Sequence, residues 1–198
     1  MQGGWWVNYN NTGGDGYDYS MKPLSQLTNN PYSFEAVLRN AGIAPQNSFL
    51  TAEVTDASGT VLFNDISNSL LLDVNYPQDT FAVNNTFTPN GTGNYTVNMW
   101  GTGDSTSTPM VSLDMTVTDN IYARDLNVPD GAWRVGRSCG GQVLGLKYDI
   151  YADETLYGLQ VHIDDQSIPN TPVYVVLYED NPSGDPVYLT QSLSLIHI

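Results

Sequence analysis

The chain has 198 residues, 40% of them hydrophobic, with 6 Lys+Arg against 21 Asp+Glu, 2 His and 1 Cys. A net charge of -15, with the cations scattered, argues against a nucleic-acid binder or a surface for anionic membranes, since both need clustered Lys and Arg. So few His and Cys exclude a Cys/His zinc site, an internal disulfide framework and a local Cys–His dyad, and no apolar run approaches the roughly 20 residues of a membrane helix.

Residues 1–18 read as a linker or the end of a preceding region, and Trp5 and Trp6 are expected to belong to whatever precedes it. Within this stretch, Asn11-Thr12-Gly13-Gly14-Asp15-Gly16-Tyr17-Asp18 has the composition of a calcium loop but not its spacing, because the twelfth position carries no acid. Asp15 and Asp18 are the candidate calcium ligands, with a ligand-free linker as the alternative; no other cofactor is indicated.

From Tyr32 onward apolar residues recur at every second position, the period of half-buried strands. Tyr32, Phe34, Ala36 and Leu38 point one way, and Ser33, Glu35 and Arg39 the other, until Asn40-Ala41-Gly42 ends the run with turn chemistry. Leu50, Ala52 and Val54 lead through Asp56-Ala57-Ser58-Gly59 into Val61 and Phe63, which predicts a hairpin. Further runs are Leu70, Leu72 and Val74; Phe81 and Val83; Tyr95, Val97 and Met99; and Val111, Leu113, Met115 and Val117. Short strands about 8 to 12 residues apart, with no sustained helical period, predict an antiparallel β-sandwich over residues 19–119.

The texture changes at Asn120. Arg124, Arg134 and Arg137 join Trp133 and the glycine-rich run Gly136 to Gly141, and strand alternation returns at Leu144 to Ile150, Leu159 to Ile163 and Val173 to Leu177. Tyr174, Val176 and Tyr178 occupy the other face of the last run, which therefore reads as a central strand covered on both sides. Residues 120–192 hold too few strands for a closed sandwich, so a second, truncated one with exposed edges is expected. Residues 193–198, Leu-Ser-Leu-Ile-His-Ile, read back as CTG-TCT-CTT-ATA-CAC-ATC, similar to the end of a sequencing adapter, and are expected to be a non-native tail.

Met21-Lys22-Pro23-Leu24-Ser25-Gln26, the hairpin Glu53 to Phe63, Gly93-Asn94-Tyr95-Thr96-Val97, Thr116 to Asp125 and Tyr148 to Glu154 resemble immunoglobulin-like modules of large secreted Bacteroidota proteins. The resemblance covers most of residues 19–192. It implies an all-β fold, an immunoglobulin-like sandwich followed by a jelly-roll-like one, an extracellular or cell-surface location and a type IX secretion route. It attaches no catalytic residue to these motifs.

Twenty-one acids make some pair of carboxylates inevitable, so Asp153-Glu154 and Asp164-Asp165 carry no specific glycosidase signal. His162 shares a face with Gln160 and Asp164 and reads as a surface histidine. Ser138 and Cys139 lack nucleophile-elbow spacing, and no enzyme activity is expected. Trp100 falls with Thr96 and Asn98 on the polar face of its strand, so it is expected to be exposed. It could stack on a sugar, pack against the second region or lie under the Gly101-Thr102-Gly103 turn. The sequence thus predicts a structural, spacer or adhesion module whose partners are other domains of the same polypeptide. The alternative is a carbohydrate-binding module that holds extracellular polysaccharide on Trp100 and Trp133.

Overall fold

Period-2 alternation becomes a two-sheet sandwich when each sheet offers one apolar face, because burying both faces removes most of the apolar surface from water. The computed structural model of the chain describes residues 4–8, 16–17, 19–75, 78–124, 145–163, 165, 167–170, 172–193 and 195–196. It divides into two units, Met1–Val128 and Pro129–Ile198. Among the described residues it is almost wholly β, and the one helix is a single turn. No helix of the described residues is long and apolar enough to cross a membrane.

In the first unit, one sheet has the order β2-β1-β4-β8, from β1 (Trp5–Val7), β2 (Gly16–Tyr17), β4 (Phe34–Arg39) and β8 (Gln78–Ala82). The other runs β3-β10-β9-β5-β6, from β3 (Met21–Pro23), β5 (Gln46–Asp56), β6 (Val61–Ile66), β9 (Gly93–Thr102) and β10 (Val111–Thr118), and β7 (Leu70–Leu72) pairs with the start of β5. Most neighbours are antiparallel. Two pairs are parallel: β1 with β2, and β3 with β10.

Most of the inward residues expected from the alternation form the core, whereas Val61 and Leu70 are exposed. Phe34, Ala36, Leu38 and Phe81 come from one sheet and Leu50, Ala52, Val54, Tyr95, Val97, Met99, Met115 and Val117 from the other. A file of rings, Phe34–Phe63–Phe87–Tyr95, links the layers at centroid separations of 5.7, 5.7 and 5.9 Å, the spacing aromatic pairs prefer. The β5–β6 hairpin forms as expected. Asp56 accepts hydrogen bonds from the Ser58 and Thr60 amides at 2.8 and 2.9 Å, and Gly59 takes φ +83°, a conformation glycine adopts without steric cost.

Three local features depart from the sequence expectation. Trp5 and Trp6 are not part of a preceding region: β1 pairs with β4, Trp5 opposite Ala36 and Trp6 opposite Glu35, and Trp5 packs against the core. Pro23 opens α1 (Leu24–Leu27), a single turn that buries Leu27 and Gln26, too short to show a helical period. After β10 the chain folds back at Thr118, whose hydroxyl donates to the Ile121 carbonyl and accepts from the Ile121 amide. Ala123 then bonds to Ser20 and Met21, and Arg124 stacks on the Tyr19 ring with its Cζ 4.5 Å from the centroid.

The second unit contains two two-stranded antiparallel ladders among its described residues. One joins β11 (Pro172–Val173) to β14 (Leu195–Ile196), the other β12 (Val176–Glu179) to β13 (Val187–Gln191). The alternating runs at 145–150 and 159–163 enter no ladder, and Leu146, Ile150, Leu159 and Val161 are exposed. β12 is not a central strand covered on both sides, since β13 is its one ladder partner among the described residues and Tyr178 is half exposed. Tyr174, Val187, Tyr188 and Leu189 of this unit are also exposed.

Candidate functional site

The outer face of the larger sheet is the surface on which the sequence places its sugar-stacking candidate. Along β9 burial alternates from Tyr95 to Thr102, so Thr96, Asn98 and Trp100 project outward as expected. Trp100 lies opposite Thr51 of β5, and Thr51 lies opposite Ile66 of β6, which sets the three in one row across the sheet. Thr51 is only 6% exposed despite its outward direction. Trp100 itself faces outward and is half-buried.

The turn that follows Trp100 folds toward β5. Gly103 donates to the Thr106 carbonyl at 2.7 Å, and Thr108 holds the Gly101 amide through its hydroxyl at 3.0 Å. The Asp104 carboxylate accepts from the Asn47 amide at 2.8 Å, and Ser105 donates through its amide and its hydroxyl to Gln46 Oε1, both at 3.0 Å.

The rest of this face consists of polar rows whose members bond to one another. Ser112 donates to Asn98 Oδ1 at 2.6 Å, Thr96 to Asp114 Oδ1 at 3.0 Å, Thr116 to Asn94 Oδ1 at 3.1 Å and Asn64 to Glu53 Oε2 at 3.2 Å. Cross-strand pairs of this kind fix the register of neighbouring strands.

Trp133, Asp15 and Asp18, like Ser138, Cys139 and Asp164, lie outside the described residues. His162, Asp153, Glu154 and Asp165 are exposed in the second unit. Among the described residues no group of three or more His, Cys, Asp or Glu is placed to hold a metal ion. Lys147 bonds Asp180 at 2.7 Å and approaches Asp149 at 3.6 Å, which raises its pKa, but an exposed pair of this kind contributes little to stability.

Two residues carry electrostatic interest that alternation alone does not reveal. Lys22 is fully buried; its Nζ donates to the Asn30 carbonyl at 2.9 Å and lies 5.9 and 5.6 Å from the ring centroids of Tyr19 and Tyr32, within cation–π range. The bracketing tyrosines are the signal for it in the sequence. Glu35 sits on the outer face of the smaller sheet between Trp6 and Ala82, and burial pushes its carboxyl above the ordinary glutamate value.

No protein-family model matches the chain, and no curated protein sequence matches it. Several solved structures do, among them the crystal structure of a CARDB domain from Pyrococcus furiosus in complex with di-metal ions. That structure shares 14% identity and a TM-score of 0.33 with this chain, over 59% of this chain and 92% of the other. A likeness at that level assigns no residue and no ligand here; the chain's own described elements are those of an all-β module.

Proposed function

We propose that the chain is a non-catalytic structural module, a spacer or adhesion element, of a secreted or cell-surface bacterial multidomain protein of the Bacteroidota type. The observation that carries this reading is the mutual bonding on the outer face of the larger sheet. Four side-chain pairs bond to one another there, so the polar residues of this face hold neighbouring strands in register. The acidic balance supports it, since a net charge of -15 promotes solubility and repulsion between neighbouring modules. Its partners are then other domains of the same polypeptide.

A carbohydrate-binding role is the second reading, and one observation favours it: Trp100 is outward-facing and has Ile66 in its row. A pull-down on insoluble polysaccharides separates the two. The spacer reading expects no retention of the native chain or of Trp100→Ala. Retention that Trp100→Ala abolishes, with the fold intact by circular dichroism, replaces it with the sugar-binding one.

A further inference from the structure

Asn90 precedes Gly91, the one Asn–Gly step in the sequence. The turn that carries it is held at both sides. Phe87 exchanges backbone hydrogen bonds with Tyr32 at 2.9 and 2.8 Å before it, and Tyr95 Oη donates to the Gly91 carbonyl at 2.8 Å after it. Asn90 itself is exposed. The amides of Asn40, Asn47, Asn64, Asn84 and Asn85 all donate hydrogen bonds within the sandwich. The Asn90 amide has no such partner among the described residues. A Cβ on Gly91 would meet nothing within 4 Å, so the Gly91 nitrogen is flanked by open space and by no side chain of its own.

We infer that Asn90–Gly91 is a self-modification site, where the chain converts to aspartate and isoaspartate with water as the only co-reactant. The Gly91 backbone nitrogen attacks Asn90 Cγ. The N–Cγ bond forms, the Cγ–Nδ2 bond breaks, and the proton of the attacking nitrogen leaves with the amide as ammonia. Water then opens the five-membered imide, its hydroxyl adding to one of the two carbonyl carbons and its remaining proton returning to the nitrogen. Attack at Cγ gives aspartate at position 90; attack at the main-chain carbonyl gives isoaspartate, whose backbone runs through Cβ and Cγ.

Both products add a negative charge, but only isoaspartate lengthens the main chain. The extra carbon enters the main chain just before the Gly91 nitrogen, so the Gly91 carbonyl that accepts from the Tyr95 hydroxyl must shift with it. Tyr95 is buried and stands edge-on to Phe87 at 5.9 Å, and a surface reaction thereby reaches the core. The inference concerns the chain's own chemistry and stands whichever function it serves.

The test is incubation of the full chain in mildly alkaline heavy-oxygen water, followed by peptide mapping with mass spectrometry and isoaspartate detection. Heavy oxygen is expected to accumulate at position 90 severalfold faster than at Asn47 or Asn84. Gly91→Ala, which meets no steric obstacle, is expected to slow that conversion severalfold with the fold retained. Asn90→Asp carries the charge without the extra carbon and is expected to melt as the fresh protein does, while the isoaspartate fraction melts lower. Equal labelling at positions 90, 47 and 84, no labelling at 90, or an unchanged rate in Gly91→Ala overturns the inference.

Discussion

Gly101 on β9 faces Leu38 on β4 so closely that a Cβ on the glycine would stand 2.7 Å from Leu38 Cδ2 and 2.8 Å from Cδ1. Real Cβ atoms do not approach that near, so this glycine sets how close the two sheets can come at that point. Gly101→Ala is expected to destabilise the sandwich by about 1–3 kcal/mol, the usual cost of overpacking. Leu38→Ala alone should cost about 2–5 kcal/mol through the cavity it leaves. The double variant should cost less than the sum of the two, because the new methyl enters the space the leucine vacates. Denaturant titration of the three variants measures the coupling, and strict additivity refutes the contact.

Asn40 closes β4 with its side chain buried in a web of backbone groups. Its amide nitrogen donates to the carbonyls of Ala44, Leu72 and Asp73 at 2.9, 3.0 and 3.2 Å, and its oxygen accepts from the Gly42 amide at 2.9 Å. Asn40→Ala removes these bonds together, leaves the buried Leu72 carbonyl without its side-chain donor and is expected to cost about 1–3 kcal/mol. Hydrogen exchange should report the loss first at Gly42 and around β7.

Lys22 is the buried cation of the first unit. Lys22→Met keeps most of the volume but leaves the Asn30 carbonyl without its donor and removes the charge from between two tyrosine rings. A loss of about 1–3 kcal/mol is expected in urea unfolding, and a neutral outcome would mean that the methionine repacks the site fully.

Two carboxyls give the stability opposite slopes with pH. Asp56 is held below the ordinary aspartate value by the Ser58 hydroxyl and by the turn amides. Its contribution is complete above the unfolded value of 3.8 and is lost as pH falls through the lower folded value. Glu35 is raised by burial, so its ionisation opposes folding once pH passes the ordinary value of 4.5. Glu35→Gln is therefore expected to raise the melting temperature at neutral pH and to leave it unchanged below the glutamate range. Asp56→Asn should lower it at neutral pH, with the difference vanishing in strong acid. Melting curves across that range check both signs.

The strands of the first sandwich were legible because each buries one face, so Phe34, Ala36 and Leu38 announce their direction in the sequence itself. β1 was not legible: three residues hold less than two periods, and only its pairing with β4 distinguishes Trp5, which packs inward, from Trp6. Trp100 shows the same limit in another form. Its direction follows from its neighbours along β9, but the residues that share its row across the sheet, Thr51 and Ile66, come from distant parts of the chain. The runs at 145–150 and 159–163 have the alternation of strands, yet alternation states only what a strand would bury and supplies no neighbour to bury it against. The side-chain bonds that organise the candidate face, such as Asn47 to Asp104, link positions far apart in sequence and leave no local signature.

The pairing of β3 with β10 bears on how the first unit carries load. Tension applied between Tyr19 and Arg124 first meets the bonds of Ala123 to Ser20 and Met21, which lie where the antiparallel returning segment can peel away one contact at a time. Once that clasp opens, the pull passes to Thr118. β3 and β10 run parallel, with Met21, Lys22 and Pro23 beside Thr116, Val117 and Thr118, so force then acts along the strands and in opposite directions. The remaining bonds are loaded together in shear, and none can yield before the others. Under tension between these two points the clasp at Ala123 is therefore expected to open before the parallel pair gives way.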